Sequence, residues 1–253
     1  MPEVLALIPA RGGSKSIPQK NIRDFAGYPL IAYSISAGLA ARTVDRVIVS
    51  TDDEEIAELS RRCGAEIPFM RPVEHSQDDT PDLPVFKHAL EWLAWHEGYR
   101  PDIVVQLRPT SPFRRVGHID GAVELLIARP DADAVRTVCV PFQNPFKMWQ
   151  IDSHGFMRPL MKTDYPEPYN MPRQALPDVY WQTGYVDATW RKTILEKDSM
   201  TGEVILPLII GAEEWVDIDS TDDWRRAERL LETGEIAFDH LGFHLGRIKK
   251  KSG

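Results

Sequence analysis

Through its first 140 residues the chain alternates short apolar runs with longer segments of helical period. Residues 4–8 (VLALI), 46–49, 103–107 and 134–140 have the length and β-branched character of buried strands. Between them, residues 30–41, 54–62, 85–96 and 119–128 repeat apolar side chains every three or four positions, as Phe86, Ala89, Leu90 and Leu93 do. Strands returning through helices form βαβ units, so the expected fold is α/β with a mostly parallel sheet and right-handed crossovers. Ligands of such sheets sit beyond the carboxyl ends of the strands, near a switch in strand order. That rule singles out three polar stretches, each following an apolar run: PARGGSK at 9–15, STDD at 50–53 and RPTSPFR at 108–114.

The pattern changes at Pro141. PFQNPFKMWQ and then YPEPYNMPRQALP are dense in proline, aromatics and Met, and too apolar for a low-complexity linker. They read as an inserted β-rich arm or dimer surface, with a long loop packed on its own domain as the plainer alternative. Regular patterning returns with strands expected at 203–210 and 216–218 and a helix at 224–231. The expected division is a core of 1–140 with 203–235, an arm of 141–202, and a frayed tail of 236–253.

Composition narrows the function classes. Lys and Arg total 30 against 38 Asp and Glu, a net charge of −8, which speaks against a nucleic-acid partner. No apolar run nears the roughly 20 residues that span a bilayer, so no membrane partner is expected. The first apolar run follows Glu3 with no basic lead-in, which suits a strand better than a signal peptide. Cys63 and Cys139 stand far apart without a CxxC, which argues against a disulfide framework or cysteine zinc site and suits a cytoplasmic protein. No HxH pairing and no GxSxG elbow occurs.

Three stretches carry chemistry. Gly12 and Gly13 let the backbone turn after the first strand, and Arg11, Lys15 and Lys20 place three cations within ten residues. Such a loop suits a polyphosphate in an otherwise acidic protein, because nearby charge dominates within a Debye length of about 8 Å. It is not a P-loop, since GxxxxGK[ST] is absent. Asp217 and Asp219 are two apart, so in a strand they project together. Paired carboxylates call for a proton or a cation between them, and Mg2+ is held by one or two carboxylates plus phosphate oxygens. A solvated strand end is the plainer alternative. In the third stretch, Pro109 and Pro112 stiffen a turn that concentrates Thr110, Ser111 and guanidinium groups. Asp52 and Asp53 could touch a metal or ribose, or cap a helix.

Together these stretches resemble one family. IPARGGSKSIPQKN at 8–21 is similar to the nucleotide-binding motif of the CMP-N-acylneuraminate synthetases, RPTSPFR to that family's Pro-Thr-Ser-Pro segment, PRQ at 172–174 to its substrate-arm motif, and Asp217-Ile218-Asp219 to its metal pair. The resemblance implies a Rossmann-like nucleotidyltransferase with a small inserted dimerisation arm, acting as a homodimer. It implies Mg2+-dependent transfer of CMP from CTP to a nonulosonic, sialic-acid-like sugar acid. It places Arg11, Gly12, Ser14 and Lys15 at the triphosphate or base, Asn21 and Arg71 at the nucleotide, and Lys20 at the phosphate under attack, with Arg11 and Lys15 as its companion catalytic cations. Asp217 and Asp219 hold the metal. Arg108, Thr110, Ser111, Lys147, Arg173 and Gln182 fall on the sugar side. Two departures concern the sugar: Arg108 stands where Gln is common, and Gln182-Thr183-Gly184-Tyr185 where Asn-Gly is common. Two rival readings follow. One is a pyrophosphorylase using another nucleotide and a sugar 1-phosphate, with Arg108, Arg114 and Arg115 taking the phosphate. The other is a nucleotide-binding regulator without catalysis.

Overall fold

The computed structural model describes residues 1–239. In chain order the elements are β1 (Val4–Pro9), β2 (Asp24–Phe25), β3 (Tyr28–Pro29), α1 (Leu30–Ala40), β4 (Arg46–Ser50), α2 (Glu54–Arg62), α3 (Asp82–His96), β5 (Ile103–Gln106), α4 (Val116–Ala128), β6 (Ala134–Cys139), β7 (Trp149–Ile151), β8 (Met157–Pro159), β9 (Trp181–Trp190), α5 (Arg191–Glu196), β10 (Ile205–Ile209) and α6 (Thr221–Glu232), with short 3-10 turns between them. Six strands form the central sheet in the order β10-β6-β9-β5-β1-β4. β1 pairs in parallel with β4 and β5, and β10 with β6.

The helices start where local chemistry lets them. α2 is capped by Asp53, whose side chain accepts from the N–H groups of Glu55 and Ile56. Glu54 and Glu55 in its first turn and Arg61 and Arg62 in its last complement the helix dipole. α3 opens at Asp82, three residues before the periodicity suggests. Pro84 lies in its first turn, where the missing N–H would have no helical acceptor. α6 opens at Thr221 behind a capping box of Ser220 and Asp223.

Side chains of α1 and α4 pack on one face of the sheet, and those of α3 and α5 on the other. A third cluster joins Ile17, Phe25, Leu30, Tyr33 and Phe113 to Val216, Ile218 and Trp224. It sits beneath the Lys20 loop and fixes the segment that carries the two aspartates.

Three expectations are corrected. β9 lies within the span assigned to the arm, yet it is a central strand, antiparallel to both β5 and β6. Tyr185 to Thr189 are buried on both faces, which erases the alternation that would mark a strand. The core therefore resumes at Trp181, and the arm holds only the β7–β8 hairpin and 3-10 turns. Residues 216–218 form no strand. They join the Pro-Thr-Ser-Pro turn through Ile218 N–H donating to the Thr110 carbonyl at 2.9 Å. The tail does not fray at Ile236: Ile236 and Phe238 pack on the third cluster, and Asp239 accepts from Val116 N–H at 3.0 Å. The basic end GRIKKKSG lies outside the described residues.

Candidate functional site

Residues of the 9–15 and 108–114 stretches line two open cavities that share a wall, and Asp52 of the third stretch lines neither but binds the glycine loop. The first, of about 240 Å3, is lined by Arg11, Asn21, Arg71, Thr110 and the Asp217–Asp219 pair. The second, of about 530 Å3, is lined by Gln182, Thr183, Gly184, Trp181 and Trp215. Arg108, Asp217 and Asp219 face both.

The glycine loop is tied down at several points. Gly12 N–H donates to Asp52 Oδ1 at 3.1 Å, and Asn21 Nδ2 donates to the Arg11 carbonyl at 3.0 Å. Asp53 serves only as a cap. Arg11 and Lys15 both pair with Asp78, the Arg11 contact at 2.6 Å, and the Lys15 ammonium chiefly holds that carboxyl below its ordinary range. A triphosphate reaching these two cations must share them with Asp78. Arg71 is buried, 3.7 Å from Asp52 and too far for a hydrogen bond. Its Nε and Nη2 have no hydrogen-bond partner among the described residues, and burial pulls its guanidinium below its ordinary range. Unpaired buried donors are costly, so the geometry suits an acceptor arriving in the first cavity.

The aspartates are unlike. Asp219 is mostly exposed and accepts from Lys20 Nζ at 2.9 Å, while the same ammonium also donates to the Ile218 carbonyl at 3.0 Å. Asp217 is largely buried, and its Oδ1 has no hydrogen-bond partner among the described residues. Burial, with Asp219 adding to it, pushes the Asp217 carboxyl up to about 6. An orphaned carboxylate oxygen beside a second carboxylate is the donor set a hard divalent cation takes when phosphate oxygens complete its shell. The residues present therefore fit Mg2+.

Not every expected residue arrives. Gly12, Ser14, Lys15 and Lys20 lie outside the linings of both cavities. Ser111 is 1% exposed and faces neither cavity. Lys147 and Arg173 also face neither; Arg173 donates to the Pro141 carbonyl at 2.6 Å, back onto its own arm. Arg114 is fully buried and acts as a bolt: Nε donates to the Tyr185 carbonyl, Nη1 to Ser34 Oγ and Nη2 to the Arg108 carbonyl. Arg115 pairs with Glu214 at 2.5 Å. With both arginines committed elsewhere, the sugar 1-phosphate reading loses two of the three groups it rested on.

Residues that the sequence did not single out also line the site. Asp78 and Asp82 come from the SQDDTPD stretch, which follows no strand and so carries no strand-end signal. Asp82 pairs with Arg108 at 2.6 Å and accepts from Gln106 Nε2 at 2.9 Å. Trp181 and Trp215 separate the second cavity from an apolar pocket of about 240 Å3 against Cys139, Phe142 and Met148.

The chain is similar to known proteins over most of its length. Residues 5–150 match the family model described as cytidylyltransferase. The chain is 34% identical over 235 residues to the CMP-N,N'-diacetyllegionaminic acid synthase of Legionella pneumophila, covering 92% of this chain and 98% of that one. It is 48% identical over 123 residues to a pseudaminic acid cytidylyltransferase of Campylobacter jejuni, covering 49% of this chain and 53% of the relative. The fold matches a CMP:2-keto-3-deoxy-manno-octonic acid synthetase solved with CTP, at a TM-score of 0.67 and 16% identity over 92% of this chain and 99% of that one. A family match across more than half the chain, together with a relative aligned almost end to end, means that this chain belongs to the cytidylyltransferase family.

Proposed function

We propose that the chain is a Mg2+-dependent cytidylyltransferase that joins CTP to a nonulosonic acid, a sialic-acid-like 2-keto sugar acid, releasing a CMP-sugar and pyrophosphate. The observation that carries the reading is the shared wall: a nucleotide in the first cavity and an acceptor in the second meet at Arg108, Asp217 and Asp219. The substrates named for the relatives supply the acceptor class.

In the reaction the anomeric hydroxyl attacks the α-phosphorus of CTP. The new O–P bond forms as the bond to the α–β bridging oxygen breaks and pyrophosphate leaves, and the hydroxyl proton passes to water. Such transfers demand charge neutralisation and alignment more than covalent chemistry. Arg71 offers its two unpaired donors to the nucleotide, and Arg11 and Lys15 offset the triphosphate charge. Lys20 orients Asp219 and brings a further positive charge toward the phosphorus. Asp217 and Asp219 would hold Mg2+, which when bound offsets triphosphate charge and polarises a phosphate oxygen.

The test is pyrophosphate release with Mg2+ over a grid of CTP, UTP, GTP and ATP against nonulosonic acids, Kdo and sugar 1-phosphates. Signal with CTP and a keto acid alone is expected. Signal only with a sugar 1-phosphate overturns the acceptor assignment, and CTP binding without turnover across the panel favours a regulator. Asp217→Asn and Asp219→Asn are each expected to lose at least about a hundredfold in kcat while folding normally. Retained Mg2+-dependent turnover in both removes the metal assignment.

The arm suggests a homodimer. Phe142, Ile151, Phe156 and Met157 are each more than half exposed, and Lys147 and Arg173 stand on this arm away from their own chain's cavities. An arm crossing to a second copy covers the apolar side chains and gives those cations a route to a sugar. A dimer mass at micromolar protein is expected in light scattering, and a monomer mass overturns it. Two buried free cysteines suit the cytoplasm, and no helix among the described residues is long and apolar enough to cross a membrane.

A further inference from the structure

We infer that Arg108 is the receptor for the acceptor's carboxylate, supplied from within the same chain. The inference rests on the proposed function and adds a role to one residue of that site.

The second cavity is acidic: Asp217, Asp219 and Asp223 line it, and Arg108 is the one cation among its lining residues. From the described residues of its own chain, an anionic acceptor entering there meets three carboxylates and a single guanidinium. Lys147 and Arg173, the other cations that the resemblance offers the sugar, face away from the cavities of their own chain. Arg108 is also built into place. Its carbonyl accepts from Ser34 Oγ at 2.9 Å and from Arg114 Nη2 at 2.8 Å. Its side chain lies against Gly184, where an added Cβ would stand 3.2 Å from Nε. Asp82 takes one edge of the guanidinium, through Nη2. The side chain stays 40% exposed, so a planar fork with donors to spare remains open to the cavity.

The position of Arg108 matters as much as its charge. In a 2-keto sugar acid the carboxylate and the anomeric hydroxyl are both substituents of the anomeric carbon. A carboxylate held at the wall between the cavities therefore puts the attacking hydroxyl at that wall, beside Asp217 and Asp219. The rest of the sugar then extends toward Gln182, Trp181 and Trp215. Gripping the carboxylate and aiming the nucleophile become a single act, and Asp82 serves as a positioning residue that keeps the fork from swinging to the triphosphate.

The probes are N-acetylneuraminic, legionaminic and pseudaminic acids, each as the free acid and as its C1 methyl ester, with CTP varied separately. In the full-length wild type the acid is expected to be preferred to its ester. Arg108→Gln is expected to raise the KM for the acid by about tenfold or more, leave the KM for CTP within about twofold, and erase the preference for acid over ester. Arg108→Lys keeps the charge without the fork and is expected to fall between, which also covers poor folding of the Gln variant. The assignment is overturned if Arg108→Gln keeps the acid preference. It is equally overturned if Arg173→Ala loses that preference in its place, or if the KM for CTP rises instead. A wild type that releases no pyrophosphate with any of the three acids overturns the proposed function, and the role of Arg108 with it.

Discussion

A methyl group added at Gly12 would stand 2.6 Å from Asp53 Oδ2 and 2.9 Å from its Cβ. The second of those atoms is next to the backbone and cannot swing away, and the carboxylate is the cap of α2. Glycine here allows the loop to lie against the start of a helix so that its N–H can reach Asp52. Gly12→Ala is therefore expected to displace the loop, raise the KM for CTP by about tenfold and, by straining the cap, cost about 1 kcal/mol of stability. CTP-dependent kinetics and thermal unfolding check both effects; wild-type values for the two would contradict the close approach. Arg71 makes the complementary point. Nothing in its sequence surroundings marks it as buried, and its unpaired donors exist only because β4 and the segment after α2 bring it beside Asp52.

Asp133 shows how an element is held at its end. It stands one residue before β6 and accepts from the N–H groups of Glu203 and Val204 at 2.9 and 3.1 Å, and from Lys197 Nζ at 2.6 Å. One carboxylate thus ties the chain entering β10 to β6. The Lys197 ammonium first, then the two N–H groups, hold it down to about 2. A carboxyl whose folded value lies below its unfolded one stabilises the fold above the unfolded value, near 4, and loses that contribution as pH falls toward 2. Asp133→Ala is expected to cost about 1–3 kcal/mol at neutral pH and to flatten the pH dependence of stability between about 4 and 2. Denaturant melts of both proteins at several pH values read the difference. Equal acid sensitivity would show that the anchor contributes nothing. The helices and parallel strands of the first 140 residues were legible because each has a period and an end signal. β9 was not, because a strand buried on both faces and opened by Trp181 and Gln182 shows neither alternation nor an apolar start.

The whole molecule closes around its third cluster. Phe238 stacks on Tyr33 at 4.7 Å and on Phe113 at 5.1 Å, far from either in sequence. The same cluster buries Val216 and Ile218, the two neighbours of Asp217. Stability around Phe238 and geometry at the candidate metal pair are therefore coupled through packing. Phe238→Ala is expected to lose about 1–3 kcal/mol of stability and to lower kcat in parallel. Thermal unfolding and steady-state kinetics check it; a fall in stability with kcat untouched would separate the cluster from the site.

Local rules sufficed for much of this protein. Periodicity marked the helices and the parallel strands, the strand-end rule marked the polar stretches, and the spacing of Asp217 and Asp219 marked two carboxylates that line the same cavities, although from a segment that forms no strand. Each rests on interactions within a few residues, which a linear sequence displays. Tertiary structure alone decided the rest: β9 between β5 and β6, Arg114 turned from a candidate ligand into a buried bolt, Asp82 brought against Arg108, and Lys147 and Arg173 kept from their own chain's cavities. These outcomes depend on which distant segments share a wall. A side chain's charge says what it can bind, and only the packing around it says what it can reach.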